Sequence, residues 1–210
     1  MTQPLRILTL FSSLVALLLS SCSSTLDTNQ SKILVSVKDQ TMLLTQYGKP
    51  VKSYNISTSK FGLGDTPRSM RTPLGTMKVA KKIGYKQPLG AVFKSRHPTG
   101  EVISPNAPGR DPIVTRILWL KGTERRNVNA FQRYIYIHGT PEESRIGSAA
   151  SYGCIRMTSK DVVDLYSRIG VNAEVKVIRA SLEDTLKGRE YVRMEKAAQK
   201  QAPVGGSDKV

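Results

Sequence analysis

Between Ser31 and Thr58 the chain reads SKILVSVKDQTMLLTQYGKPVKSYNIST, short β-branched runs cut by turn residues, and this pattern constrains the fold more than any other feature. It predicts strands at about 33–37, 41–46 and 51–57, with Lys38-Asp39 and Tyr47-Gly48-Lys49 turning them into hairpins. Runs of the same kind recur at 76–84 (TMKVAKKIG), 116–120 (RILWL), 133–139 (RYIYIHG) and 174–178 (EVKVI). From Tyr85 to Val114 the prolines at 88, 98, 105, 108 and 112 predict an extended surface loop over one end of the sheet. Long loops of this sort are often functional. Helical spacing first gathers at Val162, Val163, Tyr166 and Ile169, with Thr158 or Ser159 as the cap and Gly170 as the stop. The expectation is a mainly β domain with one helix and long loops. Residues 179–210 carry charges of both signs and few apolar side chains, which predicts a loosely packed helix ending in a disordered tail.

The first residues bear on compartment. Arg6 precedes the apolar run Leu14 to Leu19, small residues follow, and the run is too short for a permanent membrane helix. Leu19-Ser20-Ser21-Cys22 resembles the bacterial lipobox, so residues 1–21 read as a signal peptide and Cys22 as the lipidated first residue of the mature chain. A polar tether, 22–31, then leads to a domain at 32–178. Export is the expectation, with anchoring on the periplasmic face of the outer membrane where the cell has one.

Charge narrows the partners. Over residues 31–178 Lys and Arg outnumber Asp and Glu 24 to 10, a surface that favours an anionic partner. An exported protein meets little nucleic acid, and no aromatic-interleaved nucleic-acid motif is visible, which leaves anionic cell-wall polymer. Gly62 and Gly64 lack the Gly-Lys-Ser/Thr ending of a phosphate loop. Two histidines and one free cysteine form no metal-ligand spacing, so neither metal nor cofactor is expected. A monomer is expected.

The chemistry-bearing stretch is YIYIHGTPEESRIGSAASYGCIRM, 134–157. If Cys22 is consumed by lipid, Cys154 has no intramolecular partner, and an exposed lone thiol is a liability in an oxidising compartment. Burial as a small hydrophobe is one reading. The other is a nucleophile, because Ser151 and Gly153 suit a turn where backbone approaches a ligand and a histidine nearby can hold a thiolate at neutral pH. The two-residue period of the strand puts Ile135 and Ile137 on the core face and Tyr134, Tyr136 and His138 on the other. The loop from Thr140 to Tyr152 can then return Cys154 to His138.

HGTPEESRIGSAASYGCIRM resembles the signature of the L,D-transpeptidase family, the YkuD-type catalytic domain: His138, Gly139, Ser151, Gly153, Cys154 and Arg156 match it position by position. ISTSKFGLGD and RTPLGTMKVAKKIG resemble the substrate-side segments of that family. The resemblance implies a β-sandwich in which a cysteine attacks the carbonyl after the L-centre of the third residue of a peptidoglycan stem peptide. D-alanine leaves, a thioester forms, and an amine of a neighbouring stem resolves it into a cross-link. Water as acceptor would make a carboxypeptidase, and a protein acceptor a wall ligase; an inactive wall-binding lipoprotein is the reading from another class.

In these terms Cys154 supplies the nucleophile and His138 the general base. The carbonyl of Gly139 orients the imidazole, and the N–H groups of Tyr152, Gly153 and Cys154 are candidate oxyanion donors. Arg156 and Ser151 are candidates for substrate binding, Arg156 having a salt bridge to an acid such as Asp161 as its structural alternative. His97, in the long loop, is a weaker candidate for touching substrate. The chain departs from the family at Tyr152, where histidine is usual. A tyrosine can donate a hydrogen bond but brings no positive charge at neutral pH.

Overall fold

The computed structural model of the chain describes residues 30–201. Cys22, the signal segment and all but the end of the tether lie outside the described residues. The first hairpins form as the turn chemistry predicts. β1 (Ser31–Ser36), β2 (Thr41–Gln46) and β3 (Lys49–Asn55) pair antiparallel in succession. β4 (Gly75–Ile83), β5 (Ala91–Lys94), β6 (His97–Val102) and β7 (Ile113–Gly122) follow. β8 (Tyr136–Gly139), β9 (Ile155–Met157), helix α1 (Ser159–Arg168), β10 (Glu174–Ile178) and helix α2 (Leu186–Gln201) complete the chain.

The strands form one mixed ten-stranded sheet in the order β3-β2-β1-β10-β4-β7-β5-β6, with β8 branching from β7 and β9 from β8. Two pairs are parallel, β1 with β10 and β8 with β9. The branch folds back on the first strands, because Ser57 N donates to Arg156 O (2.9 Å) and Arg156 N to Ser57 O (2.8 Å). The path from β3 through β7 to β9 is thereby closed into a circuit. Inside it lie Ile33, Val35, Met42, Leu44, Met77, Val79, Leu118, Ile137, Ile155 and Val175. Alternation along the strands supplies this core, since inward and outward positions differ by one residue. Helix α1 adds Val162, Leu165 and Tyr166 to it, with Ile169 just past its end, and Thr158 caps its first turn by accepting from Asp161 N.

Three expectations need correction. The loop read over 85–114 contains a hairpin, β5–β6, whose second strand HPTGEV is exposed at every position and so carries no apolar alternation. The strand read from 133 starts at Tyr136, because Tyr134 takes the left-handed backbone (φ 57°) that ends a turn. The helix read within 179–210 forms as α2, but the segment ahead of it is docked rather than loosely packed. Asp39 accepts from Leu182 N (2.6 Å) and Ser181 Oγ (2.9 Å), and Tyr191 Oη accepts from Ser53 N (3.3 Å).

Candidate active site

The parallel pairing of β8 with β9 builds the site. Its register sets Ile137 beside Ile155 and His138 beside Arg156, so Cys154 arrives level with Tyr136. Tyr136 N donates to Cys154 Sγ (3.4 Å), and the thiol donates to Tyr134 O (3.4 Å). Isoleucines 135 and 137 face the main core as their alternation predicts. Tyr136 lies on the opposite face, where Trp119, Phe93 and Ile117 form a second cluster against which Cys154 packs. His138 follows two residues further along β8, a backbone rise of about 6–7 Å from Tyr136, on that same face.

His138 is buried, and its Nδ1 lies 2.8 Å from Gly139 O. A carbonyl oxygen only accepts, so Nδ1 carries the proton and Nε2 is the basic nitrogen of the neutral ring. Gly139 leaves no space for a larger residue: a Cβ there would stand 2.8 Å from Val114 O and 3.2 Å from both Thr115 Cβ and Val162 Cγ1. Burial pushes the His138 pKa down to about 4, against the smaller opposing pull of the Gly139 carbonyl. Burial pushes the thiol of Cys154 the other way, up to about 11, and the Tyr136 N–H, Arg133 and Arg156 offset this only in part. Both shifts favour the neutral forms of the pair, and no hydrogen bond joins the imidazole to Sγ among the described residues.

Two cavities meet at the sulfur. A small one, of about 180 Å³, is lined by His138, Cys154, Ser151, Tyr152, Asp111 and Arg156. An open one, of about 680 Å³, is lined by Pro67, Arg68, Met70, Arg133 and Tyr134, again with Cys154 and Tyr152. Tyr152 is exposed at their shared rim. Lys60 Nζ donates to its hydroxyl (3.1 Å) and lies 4.4 Å from its ring, with Phe61 packed alongside at 5.7 Å between ring centroids.

The turn before Cys154 divides the candidate donors. Gly153 adopts φ +120°, a conformation that favours glycine, and its N–H points to Ser151 Oγ (3.3 Å). Ser151 Oγ in turn donates to Cys154 O (2.5 Å), so both Gly153 N–H and the Ser151 hydroxyl are used to hold the turn rather than being free for a substrate. The N–H groups of Tyr152 and Cys154 have no protein acceptor among the described residues, which leaves them the candidate oxyanion donors.

Arg156 is buried and does not pair with Asp161, whose backbone and carboxylate serve the α1 cap. Its Nη1 instead bonds to Asp111, brought from 45 residues upstream, and to Glu142 (3.1 Å). The guanidinium thus ties the 85–112 segment to the base of the small cavity, and its Nε and Nη2 are without partners. Asp111 was missed by sequence reasoning because nothing local marks it. His97 stands exposed on β6 and lines neither cavity. No cluster of three or more His, Cys, Asp or Glu suited to a metal occurs among the described residues.

The family model described as the L,D-transpeptidase catalytic domain matches residues 30–177. Solved structures resembling the chain include an L,D-transpeptidase from Mycobacterium smegmatis at 16% identity, covering 71% of this chain and 58% of that one with TM-score 0.46. L,D-transpeptidase 3 from Mycobacterium tuberculosis with a faropenem-derived adduct is 16% identical over 70% of this chain and 60% of that one, TM-score 0.46. An L,D-transpeptidase from Xylanimonas cellulosilytica is 15% identical over 72% and 61%, TM-score 0.44. The chain covers less than two thirds of the length of each of these structures. No curated protein matches it significantly.

Proposed function

The chain belongs to the L,D-transpeptidase catalytic-domain family, and from that premise we propose that it is a cysteine-dependent acyltransferase acting on peptidoglycan stem tetrapeptides. The observation that carries the reading is the sharing of one small cavity by a thiol and an imidazole whose Nδ1 is locked on a backbone carbonyl, leaving Nε2 as base.

The reaction starts from neutral partners. A donor carbonyl enters at the junction of the two cavities, and as the S–C bond forms His138 Nε2 takes the thiol proton, help of about 10²–10⁴ in rate. The N–H groups of Tyr152 and Cys154 receive the oxyanion, each donor contributing about 10²–10³. Collapse expels the amine of the terminal D-alanine, which leaves with the proton from His138. The amine of a second stem then attacks the thioester carbonyl, His138 accepts its proton, and the thiol is regenerated.

The test is mass analysis of products from a disaccharide tetrapeptide. Cross-linked dimer with free D-alanine supports transfer, while tripeptide product with free D-alanine identifies water as the acceptor and makes the enzyme a carboxypeptidase. Intact starting material would leave the inactive, wall-binding lipoprotein as the better reading. We also propose export and anchoring through lipidated Cys22, on the outer membrane where there is one, with acyl chains supplying the affinity. Cys22→Ala should then leave the membrane fraction, and unchanged fractionation would refute the anchor.

A further inference from the structure

On another part of the surface a cavity of about 630 Å³ is walled by Lys82, Tyr85, Lys86, Arg116 and Tyr166, with Val163 and Ser167 completing it. Three of the seven lining side chains are cationic and none is a carboxylate. Arg116 is the unusual one. It follows Thr115, whose backbone is left-handed (φ 70°) inside the irregular register between β7 and β8, and only 8% of its surface is exposed.

The other deeply buried guanidinium groups have acids: Arg133 binds Asp65, and Arg156 binds Asp111 and Glu142. Arg116 has none among the described residues. Its Nη1 donates to two carbonyls, Gln87 O (2.8 Å) and Thr115 O (2.6 Å), and its guanidinium carbon lies 5.6 Å from the Tyr166 ring. Nε and Nη2 have no protein acceptor among the described residues. Lys82 is in a similar position, its ammonium donating to carbonyls at and just past the end of α1, Tyr166 O (2.7 Å) and Ile169 O (2.6 Å), and lying 4.2 Å from the Tyr166 ring. Burial lowers the pKa of both groups, which marks the cost of holding them charged without a counter-ion. An apolar side chain at position 116 would avoid that cost. A cation kept there is matched when a ligand brings the anion, and the free edge of a guanidinium suits a planar or tetrahedral oxyanion bound through two parallel hydrogen bonds. At the mouth, Lys86 adds an exposed charge and Tyr85 an exposed ring face for the less polar part of such a ligand.

We propose that this cavity is a second, non-catalytic binding site for an oxyanion, the carboxylate or phosphate of a small ligand or polymer chain end, gripped by Arg116 with Lys82 and Lys86. The site does not involve the thiol and stands whether or not acyl transfer is the reaction.

The experiment is an amide NMR titration of the full chain carrying Cys154→Ala, with inorganic phosphate in one series and a disaccharide tetrapeptide bearing free carboxylates in the other. Saturable shifts at the amides of residues 82–87, 115–117 and 166–169 are expected in at least one series. Phosphate alone would identify a phosphate source, and the fragment alone a carboxylate source. Lys86→Gln, an exposed change that leaves the fold alone, should weaken binding about threefold, and Arg116→Gln about tenfold or more, as loss of a charge-assisted pair requires. Should Arg116→Gln fail to fold, Lys86→Gln decides the matter. The absence of saturable shifts at these amides in both series, or affinities unaltered by Lys86→Gln, would overturn the proposal.

Discussion

The resting state of the thiol gives the sharpest prediction. With its pKa pushed from the ordinary 9.0 to about 11, Cys154 holds about one thiolate in ten thousand molecules at pH 7, against about one in a hundred for an unperturbed thiol. Alkylation by iodoacetamide at pH 7 should therefore run about a hundredfold slower than for free cysteine, and should climb about tenfold per pH unit up to pH 10. The cause is burial of the sulfur, so the curve should barely respond to the imidazole, which makes no hydrogen bond to Sγ among the described residues. His138→Gln should leave the alkylation profile where it is between pH 6 and 9, yet lower acyl transfer by about 10²–10⁴ through loss of the base. Tyr152→His, restoring the usual family residue at the rim, should bring the profile to lower pH once that imidazole is protonated. Stopped-flow alkylation of the parent and the two variants settles the point. A plateau in parent reactivity below pH 8 would refute the reasoning, since it would require a thiolate preformed at neutral pH.

Acid stability should report on His138. Its folded pKa of about 4 lies below the ordinary 6.5, so on acidification the unfolded chain takes up the proton first, and stability is lost as pH falls from 6.5 towards 4. The loss is about 3 kcal/mol for this buried ring; urea midpoints measured across that range should fall less in His138→Gln than in the parent. Gly139→Ala forces a Cβ to 2.8 Å from Val114 O, which should displace the acceptor of His138 Nδ1 and cut activity by about 10²-fold, the usual result of misplacing a catalytic group by about 1 Å. Activity at the parent level in a folded Gly139→Ala would remove that carbonyl from the account. Arg156→Met leaves Asp111 and Glu142 facing each other without their cation and should cost about 3 kcal/mol by denaturant titration, with Asp111→Asn in the same background recovering part of it.

The parts of this molecule that could be read from sequence were those coded by neighbours. The hairpins of β1 to β3 follow from β-branched runs and adjacent turns, and the face assignment at 135–138 follows from a period of two. Helix α1 was announced by Thr158 and by Val162, Tyr166 and Ile169 at helical spacing. What escaped was set by distance in sequence or by burial. Strand β6 is exposed throughout and contains Pro98, so hydrophobic patterning is silent there. Strand β9 is three residues long and exists because β8 and Ser57 flank it. The partner of Arg156 could not be guessed from Asp161 nearby, because that acid is committed to its own helix cap and Asp111 arrives only with the fold. The motif placed thiol and imidazole together, but the pKa shifts of the pair follow from burial in the fold, which no spacing encodes.

The most direct measurement is the intact mass of the protein after brief incubation with a stem tetrapeptide, followed by peptide mapping of the adduct. The account predicts a gain equal to the donor less its terminal D-alanine, carried on Cys154 as a hydroxylamine-labile thioester, absent in Cys154→Ala and much slower to form in His138→Gln. D-alanine release that persists in Cys154→Ala, or an adduct mapped to any other residue, would contradict it.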